Sequence, residues 1–217
     1  MAIEINGSSN TITGIAVGGL PNGIVDTDML ADDSVTAPKI GSKTFTSYAL
    51  IADVKASDVD GGTFAHGSWQ QRDLNTEISD PDGIVSITAD SDFTLQAGSY
   101  LVKASAPAFR VNRHMIKLSN TTDSSDVQFG TSEYATSVDA GSTRAHLISR
   151  FTIASAKNFG IFHRCQTTKA TLGKGLGADF AGYTEMYTIV EIYKDCLLYT
   201  SDAADDSLRV DLGGRRI

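Results

Sequence analysis

The central part of the chain consists of short runs in which apolar and polar residues alternate. In residues 100–106, Tyr, Val and Ala occupy every second position and Leu, Lys and Ser lie between them, and residues 146–153 repeat the pattern. A period of two with β-branched and aromatic residues predicts strands that bury one face. Clusters such as 80–83 and 96–99, rich in Asp, Gly and Ser, predict the turns between them.

This pattern predicts strands throughout the region from 44 to 194. Their predicted positions are 45–55, 69–77, 84–88, 92–95, 99–110, 113–119, 126–131, 143–154, 158–167 and 183–194. No segment in this region has the apolar spacing of a long helix. The sequence therefore predicts an all-β sandwich as the head domain, residues 44–194.

Residues 1–43 have a different texture. Gly and Pro interrupt the apolar residues, most clearly in 18–23, so no segment can bury a face by itself. Such an extended shaft or connector is either loose or ordered by neighbouring chains. Asp26, Asp28 and Ser34 are favourable helix-start residues. One short helix or a few turns are therefore predicted in the second half of the segment.

The alternating pattern ends with the closing strand that finishes at Lys194. Residues 195–217 do not continue it and are similar to translated sequencing adapter. We interpret this segment as a non-native tail and exclude it from functional inference.

Composition and charge remove several classes of function. With 41% apolar and 20% charged residues, the 217-residue chain is expected to fold around a core of its own. A net charge of −8 does not favour a nucleic-acid partner. No run approaches the ~20 apolar residues of a membrane span, so membrane insertion is not expected. The start lacks a secretory pattern, which predicts synthesis in a cytoplasm.

Motifs for catalysis are not apparent. The four histidines and two cysteines lack metal-ligand spacing, and no nucleophile elbow occurs. We therefore predict no catalytic residue, no metal site and no cofactor, and we interpret the protein as a non-enzyme. Cys165 is predicted to be a buried free thiol. For His114 and His163, a structural polar cluster is favoured over ligand contact or catalysis.

The carboxylates leave other possibilities open. Most of the 26 Asp and Glu residues lie in turn contexts such as 58–60, 80–82, 90–92 and 123–126, where capping of loops is the favoured role. A calcium site made from such turns is a second interpretation. A carboxylate pair that cleaves a glycosidic bond is a third.

Several blocks, in the same order, resemble a recurrent tip domain of bacteriophage tail fibres. These blocks are 69–77, 93–100, 104–114, 130–134, 163–168 and 187–194, and residues 20–30 resemble the connector that precedes such domains. The resemblance spans nearly all of 45–194. It implies a jelly-roll β-sandwich like the heads of complement and tumour-necrosis-factor ligands, assembled as a homotrimer.

The same resemblance implies a function. It predicts a structural, receptor-binding component of the virion tail, made in the host bacterial cytoplasm, which adheres to a bacterial surface glycan or protein. Residues 1–43 are expected to contact other tail-fibre or baseplate proteins. The alternatives are a polysaccharide depolymerase tip and a purely structural trimerising or decoration module.

Two further expectations come from the residues themselves. The predicted strands carry more aromatic surface than one core readily hides, so some aromatic residues are expected at a subunit interface. Loops on a rigid sandwich usually form its binding surface. We therefore predict ligand contacts in loops 110–114, 134–142 and 169–183, with Arg113, Tyr134 and Tyr183 as the contact residues.

Overall fold

A computed structural model of the chain describes residues 45–195 and two short N-terminal strands. The strands are β1 Glu4–Asn6, β2 Thr11–Thr13, β3 Phe45–Lys55, β4 Gln70–Gln71, β5 Thr76–Ser79, β6 Val85–Ile87, β7 Phe93–Leu95, β8 Gly98–Phe109, β9 Asn112–Asn120, β10 Ser125–Ala135, β11 Ser142–Ile153, β12 Lys157–Cys165 and β13 Glu185–Asp195. Among the described residues, no helix has the length and apolarity needed to cross a membrane.

The chain divides into two compact units, residues 1–42 and 43–217. In the first unit, β1 and β2 pair antiparallel, with Ile5 opposite Ile12. The short helix predicted in the second half of the N-terminal segment lies outside the described residues. The tail that follows Asp195 lies outside them as well.

The second unit contains two antiparallel sheets. One is five-stranded, in the order β11-β8-β13-β3-β5, and the other is six-stranded, in the order β10-β9-β12-β7-β6 with β4 paired to β12. From β3 to β13 the chain stays in one sheet only from β6 to β7 and from β9 to β10, and at every other connection it changes sheet. This strand order is that of a jelly roll, so the prediction of an all-β jelly-roll sandwich is confirmed.

The core lies between the sheets because each long strand turns alternate residues inward. In β8 the inward positions are occupied mainly by small side chains, whereas β12 contributes Phe159 and Ile161. Phe159 lies 5.9 Å from Phe93 and 5.0 Å from Phe151, measured between ring centroids. Small residues on one sheet thus leave room for large ones from the other, which allows close packing.

The expectation of surplus aromatic surface concerned seven strand residues, and four of them, Tyr100, Phe109, Phe159 and Tyr187, are buried within the single chain. Small inward residues such as those of β8 provide the space that the sequence argument did not count. Tyr193, by contrast, is only half-buried. That some of the remaining three lie at a subunit interface stays a prediction.

The strand predicted over 69–77 is interrupted. The backbone amide of Arg72 donates to the Ile161 carbonyl of the six-stranded sheet, while that of Asn75 donates to the Ala52 carbonyl of the five-stranded sheet. The chain therefore crosses from one sheet to the other between β4 and β5. Strand β4 pairs with β12 in the six-stranded sheet and β5 pairs with β3 in the five-stranded sheet. The side chain of Arg72, which follows β4, lies between the two sheets.

Strand β10 is longer than the predicted 126–131. Its register against β9 shifts twice, between Asp126 and Gln128 and between Phe129 and Ser132. These bulges break the alternation from which a strand is recognised. At the second bulge, a Cβ on Gly130 would lie 2.4 Å from the carbonyl oxygen of His146, so glycine permits this close approach to β11.

Candidate ligand-binding face

The structure brings two of the three predicted contact residues together. Arg113 of β9 and Tyr134 of β10 are directly opposed across the strand pair. Tyr134 is 57% exposed. Tyr183 lies in the loop before β13 and is 73% exposed, but it does not line the cavity that Arg113 and Tyr134 share. A role in ligand contact stays a prediction for all three residues.

Arg113 and Tyr134 line a cavity of about 540 Å³ on the six-stranded sheet. Each of the adjacent strands β10 and β9 contributes three consecutive residues, and the end of β12 with the residue after it contributes three more. The lining residues are Arg113, His114, Met115, Ser132, Glu133, Tyr134, Arg164, Cys165 and Gln166. The cavity therefore rests on paired backbone, which holds a binding site more precisely than loops do.

Strand alternation determines which side chains face outward here. His114 and Cys165 are buried at 3% and 6% exposure, so their side chains point to the core. Arg113 is exposed and Met115 is half-buried on the other face of β9, and Met115 is directly opposite Arg164 of β12. The outward side chains at the cavity are therefore cationic, apolar and neutral polar groups from three strands.

The loops next to the cavity are tied together by side-chain hydrogen bonds. The Asn112 side chain donates to Thr167 Oγ1 at 2.9 Å and accepts from the Ser137 amide at 2.9 Å. The Arg110 guanidinium donates to the carbonyls of Ser137 and Val138. Arg110 and Asn112 both have positive φ, at 57° and 59°, which forms the tight turn between β8 and β9. These bonds pre-organise one side of the cavity.

The two arginines at the cavity have no acidic partner in the described part of the chain. No carboxylate there forms an ion pair with Arg113 or Arg164. Glu133 is the acidic residue of the lining, and its Oε1 accepts a hydrogen bond from Thr131 at 3.0 Å. Both guanidinium groups can therefore bind an external anion.

A second hollow, of about 300 Å³, lies farther along the same strands. Lys117 of β9 is opposite Phe162 of β12, and its Nζ lies 4.7 Å from the ring centroid of Trp69. The ring of Trp69 is 6.0 Å from that of Phe129. Asp126 pairs with the Lys117 ammonium at 2.6 Å. Aromatic rings and one compensated cation thus form this part of the face.

Beneath the cavity lies a buried histidine pair, as the sequence predicted for His114 and His163. His114 Nδ1 is 2.9 Å from His163 Nε2, and His114 Nε2 is 2.7 Å from Thr143 Oγ1. Burial lowers the pKa of His114 to about 4. Burial, with the neighbouring Arg72 and His114, lowers the pKa of His163 well below its usual value. Both rings are therefore neutral at pH 7 and structural in role.

A buried charged cluster lies deeper between the sheets. The fully buried Arg72 donates from Nε to Thr188 Oγ1 at 2.9 Å and from Nη2 to the Lys174 carbonyl at 2.7 Å. Asp53 is also fully buried, and Lys55 Nζ approaches its Oδ1 to 3.0 Å. Burial raises the pKa of Asp53. The cations of Lys55 and Arg72 thus oppose, in part, the cost of burying this carboxylate.

Comparisons with known proteins show similarity to solved structures but no match by sequence. No protein-family model matches the chain, and no curated protein matches it. Among solved structures, murine APRIL at pH 5.0 is similar with a TM-score of 0.45 and 8% identity, covering 68% of this chain and 98% of that one. The globular domain of zebrafish complement 1qA is similar with a TM-score of 0.43 and 13% identity, covering 68% and 96%.

Eiger TNF from S. frugiperda is also similar, with a TM-score of 0.43 and 9% identity, covering 68% of this chain and 90% of that one. All these TM-scores are below 0.5. The jelly-roll assignment therefore rests on the strand order of this chain itself.

Glu133 is the one carboxylate among the residues that line the cavity, and two other carboxylates lie close to each other elsewhere in the domain. Asp53 and Asp73 both contact Lys55, at 3.0 and 3.2 Å. Burial acts to raise the pKa of Asp73, but Lys174 and Lys55 outweigh it and lower that pKa, whereas the pKa of Asp53 is raised. The separation of pKa values resembles that of an acid and base pair. Asp53, however, is inaccessible to a substrate because it is fully buried.

One of the turn carboxylates, Asp80, caps its loop as the favoured interpretation proposed. Asp80 accepts hydrogen bonds from the amides of Ile84 and Val85, both at 2.9 Å. The described part of the chain contains no group of three or more His, Cys, Asp or Glu side chains arranged to hold a metal ion. Cys165 is buried and free, as predicted, and burial raises the pKa of its thiol to about 11.

Sequence reasoning missed part of this face because it looked for contacts in loops. Met115, Arg164 and Gln166 line the cavity from strands or a strand end, and Trp69 lies at the second hollow. The available signal was strand parity: outward positions of β9 and β12 carry Arg, Met, Lys and Phe instead of the small polar residues typical of a solvated strand.

Proposed function

We propose that this protein is the homotrimeric tip of a bacteriophage tail fibre, a structural component of the virion tail that adheres to a bacterial surface glycan or protein. It is made in the host cytoplasm, and residues 1–43 connect it to other tail-fibre or baseplate proteins. The resemblance of its sequence blocks to tail-fibre tip domains supports this assignment. The observation that carries it is the contrast between the outward faces of the two sheets.

The outward face of the five-stranded sheet carries partly exposed apolar and aromatic side chains around two charged residues, Lys103 and Glu191. Cross-strand pairing places Tyr48 beside Tyr193 and Leu101, and it places Ile148, which is 65% exposed, in the neighbouring row with Leu50. A face of this kind on a folded chain is typical of a protein interface. Covering it with further copies of the same chain would remove the apolar surface from water.

Two charged residues of that face make contacts within the chain. Glu191 and Lys103 lie opposite each other on neighbouring strands. Glu191 accepts a hydrogen bond from Tyr193 at 2.7 Å, and Lys103 Nζ lies 5.0 Å from the centroid of the same ring. Charges with partners of their own cost less to bury than isolated ones. This arrangement favours packing of three such faces around one axis, as the sequence resemblance implies.

If copies pack through the five-stranded sheet, the cavity on the six-stranded sheet stays open on each of them. Three identical exposed sites multiply a weak affinity through avidity. A purely structural module would be expected to have smooth, charged surfaces without a pocket. The cavity beside Arg113 and Tyr134 therefore favours a binding role. We propose binding without turnover, since the depolymerase alternative requires two accessible carboxylates in one groove.

Light scattering after size exclusion tests the assembly of the full chain. A mass near three times the 23.0 kDa of one chain is expected. The labelled trimer should also adhere to a subset of bacterial strains in a survey by flow cytometry. A monomeric mass at micromolar concentration, or a trimer that adheres to no strain, would contradict the proposed function.

A further inference from the structure

We propose that the cavity at Arg113 and the adjoining hollow at Trp69 form one extended site for an anionic glycan, recognised by its carboxylate or phosphate groups. This inference rests on the proposed function and adds the chemical class of the ligand. The site comprises the outward side chains of β9, β10 and β12 together with Trp69, and is named here the anionic-glycan face.

The first argument is continuity. Residues 113 and 115 of β9 line the cavity, and residues 117 and 119 of the same strand line the hollow. At about 3.3 Å per residue, the distance from Arg113 to Ser119 is roughly 20 Å. A linear oligosaccharide can therefore lie along β9 and contact both ends of the face.

The second argument is charge. Arg113 and Met115 are two residues apart on β9, so their side chains point to the same face of the sheet. Met115 is directly opposite Arg164 of β12, so Arg164 points to that face as well and is the diagonal neighbour of Arg113. Such diagonal neighbours are about 7–8 Å apart at the backbone. Neither guanidinium has an acidic partner in the described part of the chain. In a chain of net charge −8, two neighbouring uncompensated arginines are a local exception that favours an anion.

The third argument is the chemistry around these cations. Sugar rings present C–H groups on their faces and hydroxyl groups at their edges. The exposed rings of Tyr134 and Phe129, with Trp69, offer apolar surfaces for the former. Gln166 and Ser132 offer polar groups for the latter. Nucleic acid is disfavoured because the chain is acidic as a whole and the cationic area is small.

The pre-organised rim supports the same inference. The hydrogen bonds of Asn112 to Thr167 and Ser137 hold the ends of β9 and β12 together beside the cavity. Fixing the site before binding reduces the entropic cost of association. Shallow protein–carbohydrate sites depend on such rigidity because each contact contributes little.

The test is isothermal titration of the intact protein with defined probes. These are oligogalacturonides, which carry a carboxylate on each ring, neutral galacto-oligosaccharides of the same length, and a phosphate-bearing oligosaccharide. Binding of the carboxylate or the phosphate probe, weakened by added salt, is expected, and the preferred probe identifies the anionic group. Arg113→Gln and Arg164→Gln should each weaken that binding by about tenfold or more.

The matched control is the double variant Lys157→Gln and Lys169→Gln. It removes the same charge as Arg113→Gln with Arg164→Gln, and neither lysine lines the cavity or the hollow. Equal affinity for neutral and anionic probes, equal loss in both double variants, or binding of no probe would overturn the inference. If the arginine double variant still adheres to bacterial cells, only the ligand class is wrong, whereas a wild-type trimer that adheres to no strain contradicts the proposed function itself.

Discussion

The two outward faces of this sandwich are built from similar antiparallel strands but carry opposite chemistry. The five-stranded sheet presents Leu101 and Ile148 around Lys103 and Glu191, both of which contact Tyr193. The six-stranded sheet presents Arg113 and Arg164 without acidic partners in the described region, beside exposed aromatic rings. One face is suited to burial against identical copies, and the other is suited to a charged, soluble ligand.

This contrast shows how one fold separates assembly from recognition. Inward positions of both sheets share a single core, so the outward positions are free to differ. A binding site on the sheet opposite the assembly face stays accessible in the oligomer.

Arg72→Met should destabilise the packing of the two sheets more than any other substitution considered. The substitution removes donors from Thr188 Oγ1 and the Lys174 carbonyl, and it removes a cation near the buried Asp53. A loss of about 3–5 kcal/mol in the free energy of unfolding is expected. Urea denaturation measures it, with Arg164→Met as the exposed control, expected to change stability by less than about 0.5 kcal/mol. Unchanged stability in Arg72→Met would contradict the role of this residue between the sheets.

Acid should weaken the sandwich from beneath the cavity. Burial lowers the pKa of His114 to about 4, so an unfolded chain binds protons that the folded chain excludes between pH 6.5 and 4. Stability from this group is complete above pH 6.5 and falls by roughly 3 kcal/mol as pH decreases to 4. Urea midpoints at pH 7 and 4.5 measure the change.

The acid effect has an internal control. His114→Gln should reduce the dependence of the urea midpoint on pH, whereas His66→Gln should not, because the His66 side chain is exposed. A wild-type midpoint that is the same at both pH values would show that the buried histidine pair does not resist protonation.

Ile148→Asp should dissociate the oligomer. The substitution places a carboxylate on the proposed assembly face, where covering it costs about 2 kcal/mol or more, equivalent to roughly thirtyfold in the dissociation constant. Tyr134→Asp also introduces a carboxylate at an exposed position, but on the six-stranded sheet, where Tyr134 is 57% exposed, and it should leave the mass unchanged. Sedimentation velocity compares the two variants. Dissociation by Tyr134→Asp and not by Ile148→Asp would contradict the assigned roles of the two faces.

The smallest effect is expected for the two predicted tyrosines. Tyr134→Ala should weaken binding of the preferred anionic oligosaccharide by about tenfold, because the ring contributes contact area beside Arg113. Tyr183→Ala should leave affinity unchanged, since Tyr183 does not line the cavity. Titration calorimetry measures both. The opposite ranking would move the site to the loop before β13.

The fold was largely predictable because strand parity survives in the sequence. Alternation in β8 and β11 predicted the sandwich, and the turn clusters predicted most strand limits. The break after Gln71 was not predictable, since pairing with two different sheets depends on partners distant in sequence. The end of β10 was not predictable either, because its two bulges against β9 interrupt the alternation of apolar and polar residues.

The candidate site was predictable only in part. Arg113 and Tyr134 were identified from loop position, yet both lie on strands, next to the turns expected to carry binding residues. Arg164 comes from β12, and its proximity to Arg113 follows from strand register, which the sequence does not reveal. Side-chain parity identifies which residues face outward, whereas pairing decides which of them meet.

Hydroxyl-radical footprinting of the full chain in solution, followed by mass spectrometry, tests the contrast between the faces most directly. Ile148 and Tyr193 should be protected while Tyr134 is oxidised rapidly, and Ile148→Asp should restore oxidation at Tyr193. Rapid oxidation of Ile148, as its 65% exposure in the single chain would give, together with protection of Tyr134, would contradict it.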